Sequence, residues 1–478
     1  MKNRYYRQPA FGRKNTPLVP AGSKRLHYGL LLAILMACLG CKKQDDFLDA
    51  KTNAALSVPK TLEDYQSLLH NEGVFNAQDP ALGQIASDDY YVSSADWASL
   101  YTTQEINGYI WAKKVYDAGA NILDWSNPYI QVYYANTVLD ALAKMKVNAT
   151  DQAKFNTVRG NALFYRANAF YNLVQTFALP YDPQTSATDP GIPLRLNSDL
   201  TVKSTRATVR ACYDQVITDL QAAAALLPDK PLYRTEASKA AACGMLARVY
   251  LAVTDYRQAY KYADQSLAIH ADLVDYNTLK PNDYTISNDF LAEDIYHSAL
   301  ISYSIISVNY KAVTDSVLYA SYNDNDLRKS AFFILNKGLP YFRGSYDFKG
   351  NLFSGIATDE MYLIRAECSA RLGDKNAALT DLNTLMAKRW KTGTFIPFEA
   401  GSSADALNII LTERRKELLF RGLRWTDLRR LNKEPGLEVT PVRNIEGTQY
   451  NLPPNDKRYA WPIPDNEIQV SGIPQNPR

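Results

Sequence analysis

Histidine is nearly missing from this chain. His27, His70, His270 and His297 are the four in 478 residues, and none lies near another. That scarcity removes histidine-based zinc spacing, and no HExxH, GxSxG, GxxxxGK[ST] or GxGxxG stands in a usable context. No metal, cofactor or catalytic residue is expected. Cysteine is scarce as well: Cys38, Cys41, Cys212, Cys243 and Cys368. The last three lie far apart in amphipathic patterns and are expected as buried small apolar residues. No apolar run reaches the roughly 20 residues a membrane-spanning helix needs. Nor does either charge sign dominate, with 53 Lys and Arg against 50 Asp and Glu.

The one pronounced apolar stretch, Leu30 to Gly40, is about as long as a signal h-region. It follows Lys2, Arg4, Arg7, Arg13, Lys14, Lys24 and Arg25, and no acid precedes it. It ends in small residues and Cys41, followed at once by the polar run Lys42 to Asp46. That is the pattern of a bacterial lipoprotein box, with Cys41 as the acylated residue and Cys38 as the alternative. Residues 1–40 are then a lipoprotein signal peptide and 41–60 a polar tether. Without the leader the chain keeps 46 basic residues against 50 acidic, so it carries no broad electrostatic footprint for nucleic acid.

Tyrosine is abundant, at 33 against 16 phenylalanines. Many of these rings fall at helical spacing and belong to helix contacts. Beyond the tether, apolar residues mostly recur at three and four positions. Tyr129, Tyr133, Asn136, Leu139 and Leu142 share one face, and Phe164, Ala167, Phe170, Tyr171 and Val174 another. A helix from about Thr208 stops at Pro228, and the next runs from near Glu236 to Val253. Two segments match: Met245 to Leu251 with Asp255 and Ala259, and Ile364 to Glu367 with Asp374 and Ala378. Each reads as helix, tight turn, helix. Small residues at Ala247, Ala259, Ala366 and Ala378 let paired helices approach closely. The pattern predicts a mainly α, tetratricopeptide-like scaffold of degenerate pairs at 128–177, 208–253, 256–270 (partner unassigned) and 358–390.

Two stretches lose the helical period, 71–127 and 275–355. Both are rich in aromatics, and long irregular segments in a large domain tend to be functional. Within 275–355, Asn323-Asp324-Asn325-Asp326 looks superficially like a calcium loop but lacks the required Gly and terminal Glu. Asp326 with Arg328 is expected to brace the loop instead. The densest charge cluster, Glu413 to Arg430, is expected to pair within the fold rather than to meet phosphate.

Five stretches together resemble the SusD/RagB family. They are Cys41 through Phe47-Leu48-Asp49; Val158-Arg159-Gly160 with Arg166-Ala167, Phe170-Tyr171, Phe177 and Pro180; Tyr362 to Glu367 with Arg371 to Asp374 and Leu382-Asn383; Glu413 to Leu418 with Gly422, Arg424-Trp425, Asp427-Leu428 and Arg430; and Pro462 to Pro464 with Glu467-Ile468 and Gln475 to Pro477. The chain departs from the family pattern at Arg421, Asn161 and Ala178, which puts local ion pairs in doubt. The resemblance implies a single SusD-like helical domain over 61–478. It implies a lipid-anchored, outward-facing outer-membrane protein that partners a TonB-dependent, SusC-like transporter. It further implies capture of nutrient oligomers, usually glycans, without chemical turnover. An oligopeptide-capturing version, a scaffold that binds no ligand, and a helical glycosidase are the competing readings.

Family ligand sites sit on variable loops, so candidate binding residues come from chemistry. Sugar rings present apolar C–H faces that stack on aromatic rings, and their hydroxyls need amide and carboxylate partners. Trp97, Tyr90, Tyr91 and Tyr101 beside Asp88 and Asp89 fit that need. Tyr319 and Tyr322 beside Asn323 form a second candidate patch.

Overall fold

Nine helices of nine or more residues build the scaffold among the residues that the computed structural model describes, 59–308 and 310–478. They are α1 (Leu123–Leu142), α2 (Gln152–Phe177), α3 (Val209–Leu226), α4 (Lys239–Ala252), α5 (Tyr256–Ile269), α6 (Thr358–Arg371), α7 (Lys375–Met386), α8 (Ser403–Glu417) and α9 (Leu423–Leu431). Cys38, Cys41, the leader and the tether up to residue 58 lie outside the described residues.

Local chemistry sets the helix ends. Thr208, Ser238 and Ser402 accept the backbone N–H three residues on, satisfying donors that have no partner in the first turn. The two residues matched in the internal repeat, Asp255 and Asp374, do the same for α5 and α7. The residue before each of them, Thr254 and Gly373, adopts the left-handed conformation, with φ of 62° and 92°. The repeat is therefore one turn geometry used twice.

From α1 to α8 each helix packs against the next. The helix left without a partner by the sequence, α5, lies between α4 and α6, so the 88-residue-scale insertion between α5 and α6 loops out without breaking the stack. Ala247, Ala259, Ala366 and Ala378 are wholly buried at these contacts. A main apolar core runs through the scaffold, and a smaller one joins α6, α7 and α8 around Leu363, Leu382 and Ile410. Residues 61–478 form one compact unit. No helix among the described residues is long and apolar enough to cross a membrane.

The two irregular stretches are more ordered than their sequence suggests. The first contains short helices at Glu72–Phe75, Leu82–Ala86, Ser94–Ala98 and Thr103–Tyr109. Each is too short to display a helical period. The two stretches also share a four-stranded antiparallel sheet. Its spatial order is Tyr90–Tyr91, Val313–Thr314, Leu339–Phe342 and Phe333–Asn336.

Asp326 and Arg328 form the expected brace, a two-pronged pair at 2.9 and 2.7 Å. Arg328 continues to Glu413 and to Glu417, which also holds Arg389. Arg414 pairs with Asp427, and Arg430 with Asp427 and Glu367, all buried. The 413–430 cluster is thus spent inside the fold. The three departures also have local explanations. Arg421 pairs with Asp359 at 2.6 Å, and the Asn161 side chain accepts the Ala237 N–H at 3.1 Å. Ala178 has φ −123°, a conformation that needs no glycine. Cys212, Cys243 and Cys368 are free and buried.

Candidate functional site

The sheet shared by the two insertions separates their aromatic residues onto two faces. Directly opposed residues on antiparallel strands project to the same side. Tyr91 opposes Val313, Val313 opposes Tyr341, and Tyr341 opposes Ile334, so these four form one row. Tyr91 is 39% exposed and Tyr341 half-buried, on either side of the buried Val313, so the two tyrosines face outward. The other face holds Tyr90 and Phe342, both buried. Phe342 stacks on Phe420 at 4.7 Å, and Tyr90 lies 5.7 Å from Phe420.

Beneath the outer row the backbone is held by charge. Arg424 takes both oxygens of Asp88, at 2.6 and 2.8 Å, and Arg415 adds a contact at 3.3 Å. Burial works against the Asp88 charge, but Arg424 and then Arg415 outweigh it and hold its pKa well below the usual range. The buried neighbour Asp89 goes the other way. Burial, reinforced by the Asp88 charge, pushes it up to about 6. Arg443 donates to the carbonyls of Ser87 and Tyr90 while lying 4.3 Å from the Tyr109 ring centre. The segment carrying Tyr91 is thereby fixed from below.

Four candidate ligand residues are therefore corrected. Asp89, Tyr90 and Tyr322 are buried, and Asp88 is half-buried with its carboxylate taken up by Arg424 and Arg415. The Tyr90 hydroxyl donates to the Ile85 carbonyl at 2.9 Å, and the Tyr322 hydroxyl to the Lys416 carbonyl at 2.8 Å. They position the surface and do not belong to it. Asn323 is exposed, but its side-chain oxygen accepts the Asn325 N–H at 2.8 Å and closes a turn. Tyr319 is half-buried, edge-on to Phe333 at 5.1 Å.

Trp97, Tyr91 and Tyr101 remain at the surface. Trp97 is half-buried, with its indole N–H bonded to the Ile106 carbonyl at 3.0 Å, so its polar edge is satisfied inside. Tyr101 is 80% exposed. The Lys311 ammonium bonds the Ser99 hydroxyl at 2.6 Å, joining the two insertions again, with Tyr101 and the exposed Tyr310 close by in the chain. Tyr341 is the residue that sequence reasoning did not select. Its place beside Tyr91 depends on a register set by strands some 220 residues apart, which no local pattern announces. Burial and the neighbouring Asp96 and Tyr91 raise the Tyr341 pKa, so its hydroxyl stays protonated and able to donate.

The outer surface thus offers ring faces, phenol hydroxyls and the Asp96 carboxylate. Among the described residues, no three His, Cys, Asp or Glu side chains converge as metal ligands. The arrangement suits stacking and hydrogen bonding of a polar ligand with apolar ring faces.

A family model described as starch-binding associating with outer membrane matches residues 46–251, and the SusD family model matches residues 356–478. The chain belongs to the SusD/RagB family. SusD-like protein P2 of Formosa agariphila is 26% identical over 423 residues, covering 74% of this chain and 79% of that protein. A putative sugar binding protein from Bacteroides vulgatus superposes with a TM-score of 0.70 at 21% identity, covering 88% of this chain and 99% of that one. A laminarin binding SusD-like protein superposes with a TM-score of 0.59 at 17% identity, covering 86% and 97%.

Proposed function

We propose that this chain is a lipid-anchored protein of the outer cell surface that captures nutrient glycans on the outward tyrosine row of the insertion sheet. It passes them unaltered to a TonB-dependent, SusC-like transporter. The observation that carries this reading is the register that sets Tyr91 and Tyr341 outward on either side of the buried Val313, with Trp97 and Tyr101 a few residues from Tyr91 in the chain. Membership of a family described as starch-binding supports the ligand class, as does the fold shared with a laminarin binding SusD-like protein. The lipoprotein box at Cys41, with Cys38 as the alternative, supports the anchor.

Affinity electrophoresis of the purified protein through gels containing single polysaccharides tests the proposal. Retardation by a glycan whose chain length stays constant, weakened in a Tyr91→Ala, Tyr341→Ala double variant, is the expected result. Retardation of undiminished strength in the double variant refutes the site. Capture of peptides with no response to any glycan refutes the ligand class, and shortening of the glycan refutes capture without turnover. Co-purification of a TonB-dependent transporter from outer membranes tests the partner.

A further inference from the structure

A second surface, on the helical scaffold itself, has the construction of a ligand site. Trp125, Tyr129 and Tyr133 recur at every fourth position of α1 and so share one face, with the Trp125 and Tyr129 ring centres 5.0 Å apart. They line a cleft of about 540 Å³ and also an adjoining pocket of about 210 Å³. Small-molecule clefts span roughly 300–1,000 Å³. One wall is the segment 193–204 and the other is the helix Asp465–Ser471.

The cleft is built in advance of any ligand. The Tyr129 hydroxyl donates to the Pro193 carbonyl at 2.9 Å. The Asn136 amide donates to the carbonyls of Arg195 and Asn197, at 2.8 and 3.1 Å. Asn136 is itself fixed by Arg166, which forks onto Asp219. Side chains of α1 therefore pin the first wall in place, and such support is what holds a site to its geometry. Tyr133 remains 42% exposed.

Charge narrows the ligand. The Arg195 guanidinium is turned onto the carbonyls of Asp199 and Val202. Glu467 lines both parts of the cleft, and no described residue donates to its carboxylate. A carboxylate in that position accepts from hydroxyls and repels anions.

We propose that this cleft is a second saccharide site, selective for uncharged chains, with Tyr133 as a stacking platform and Glu467 as a hydroxyl acceptor. It rests on the saccharide reading above but shares no residue with the sheet.

The test is binding of the purified protein to an array of neutral and anionic oligosaccharides and of peptides. It compares wild type, Tyr133→Ala, Glu467→Gln and the Tyr91→Ala, Tyr341→Ala double variant. The expected result is that the double variant keeps binding of neutral chains, that adding Tyr133→Ala to it weakens that binding about tenfold, and that Glu467→Gln admits anionic chains. Loss of all saccharide binding in the double variant, with Tyr133→Ala indistinguishable from wild type, overturns the cleft and leaves the sheet site standing. Loss in Tyr133→Ala alone supports the cleft and removes the sheet site. Peptide capture abolished by Tyr133→Ala overturns the saccharide assignment, and an array that retains no saccharide at all overturns both sites. Tyr133 is exposed, so its variant is checked for an unchanged melting temperature. The charge selectivity of Glu467→Gln stands as the readout where it is not.

Discussion

Arg424 holds Asp88 with two parallel hydrogen bonds of 2.6 and 2.8 Å across 336 residues of chain. One partner lies on α9 of the scaffold and the other in the first insertion. A guanidinium fork of this kind fixes orientation as well as distance. It ties the candidate ligand surface to α9, the last of the nine scaffold helices.

Arg424→Leu leaves the Asp88 carboxylate buried with only the longer Arg415 contact at 3.3 Å. Breaking a buried pair from one side costs about 3–5 kcal/mol. Urea unfolding should show a loss of that order, and Arg424→Lys, which keeps the charge without the fork, a smaller one. An unchanged midpoint for the leucine variant would remove the anchoring role.

Tyr91→Ala and Tyr341→Ala should each weaken glycan binding about tenfold, or ~1.4 kcal/mol. Tyr91 is exposed enough that its variant should unfold within about 0.5 kcal/mol of wild type. Tyr91→Phe keeps the ring face and should retain most of the affinity. Titration calorimetry measures all three, and equal losses for Phe and Ala would assign the contact to the hydroxyl instead.

Thr254 and Gly373 occupy the same left-handed turn position in the two copies of the repeat. A β-branched residue there is strained by about 1–2 kcal/mol. Thr254→Gly should therefore stabilise the protein by up to about 1 kcal/mol after the entropy of the unfolded glycine is counted. Gly373→Thr should destabilise it by about 1–2 kcal/mol. Thermal melting of the two variants reads the opposite signs.

His297 lies between Asp294 and Asp347, at 2.6 and 3.3 Å. Burial opposes its charge, but the two carboxylates outweigh that and raise its pKa to about 9. A group raised in the folded state stabilises fully below its unfolded pKa and loses that contribution as pH climbs through the folded value. Stability should thus fall from about pH 6.5 through about 9, and His297→Gln should flatten that slope. A melting profile with the same slope in both proteins would assign the dependence elsewhere.

The helices were legible because their 3.6-residue period repeats over many turns. The Asp326–Arg328 brace was legible because its partners are two residues apart. The insertion sheet was hidden, since strands of two to four residues carry no period and their register joins distant segments. Asp88 and Asp89 read as solvent-facing because the arginines that bury them come from 415 and 424. Tyr322 failed in the same way, since its hydroxyl acceptor is the Lys416 carbonyl. Tyr133 was grouped with a packing face, yet it is exposed while Asn136 beside it is buried.

The sheet takes strands from both insertions, and a one-residue slip in either turns a row of side chains over. One residue added near 313 would carry Val313 out of step with Tyr91 and Tyr341 alike. The proposed recognition surface is therefore inherited as a matched pair of segments. Each can drift only in step with the other, while the helices beneath it stay as they are.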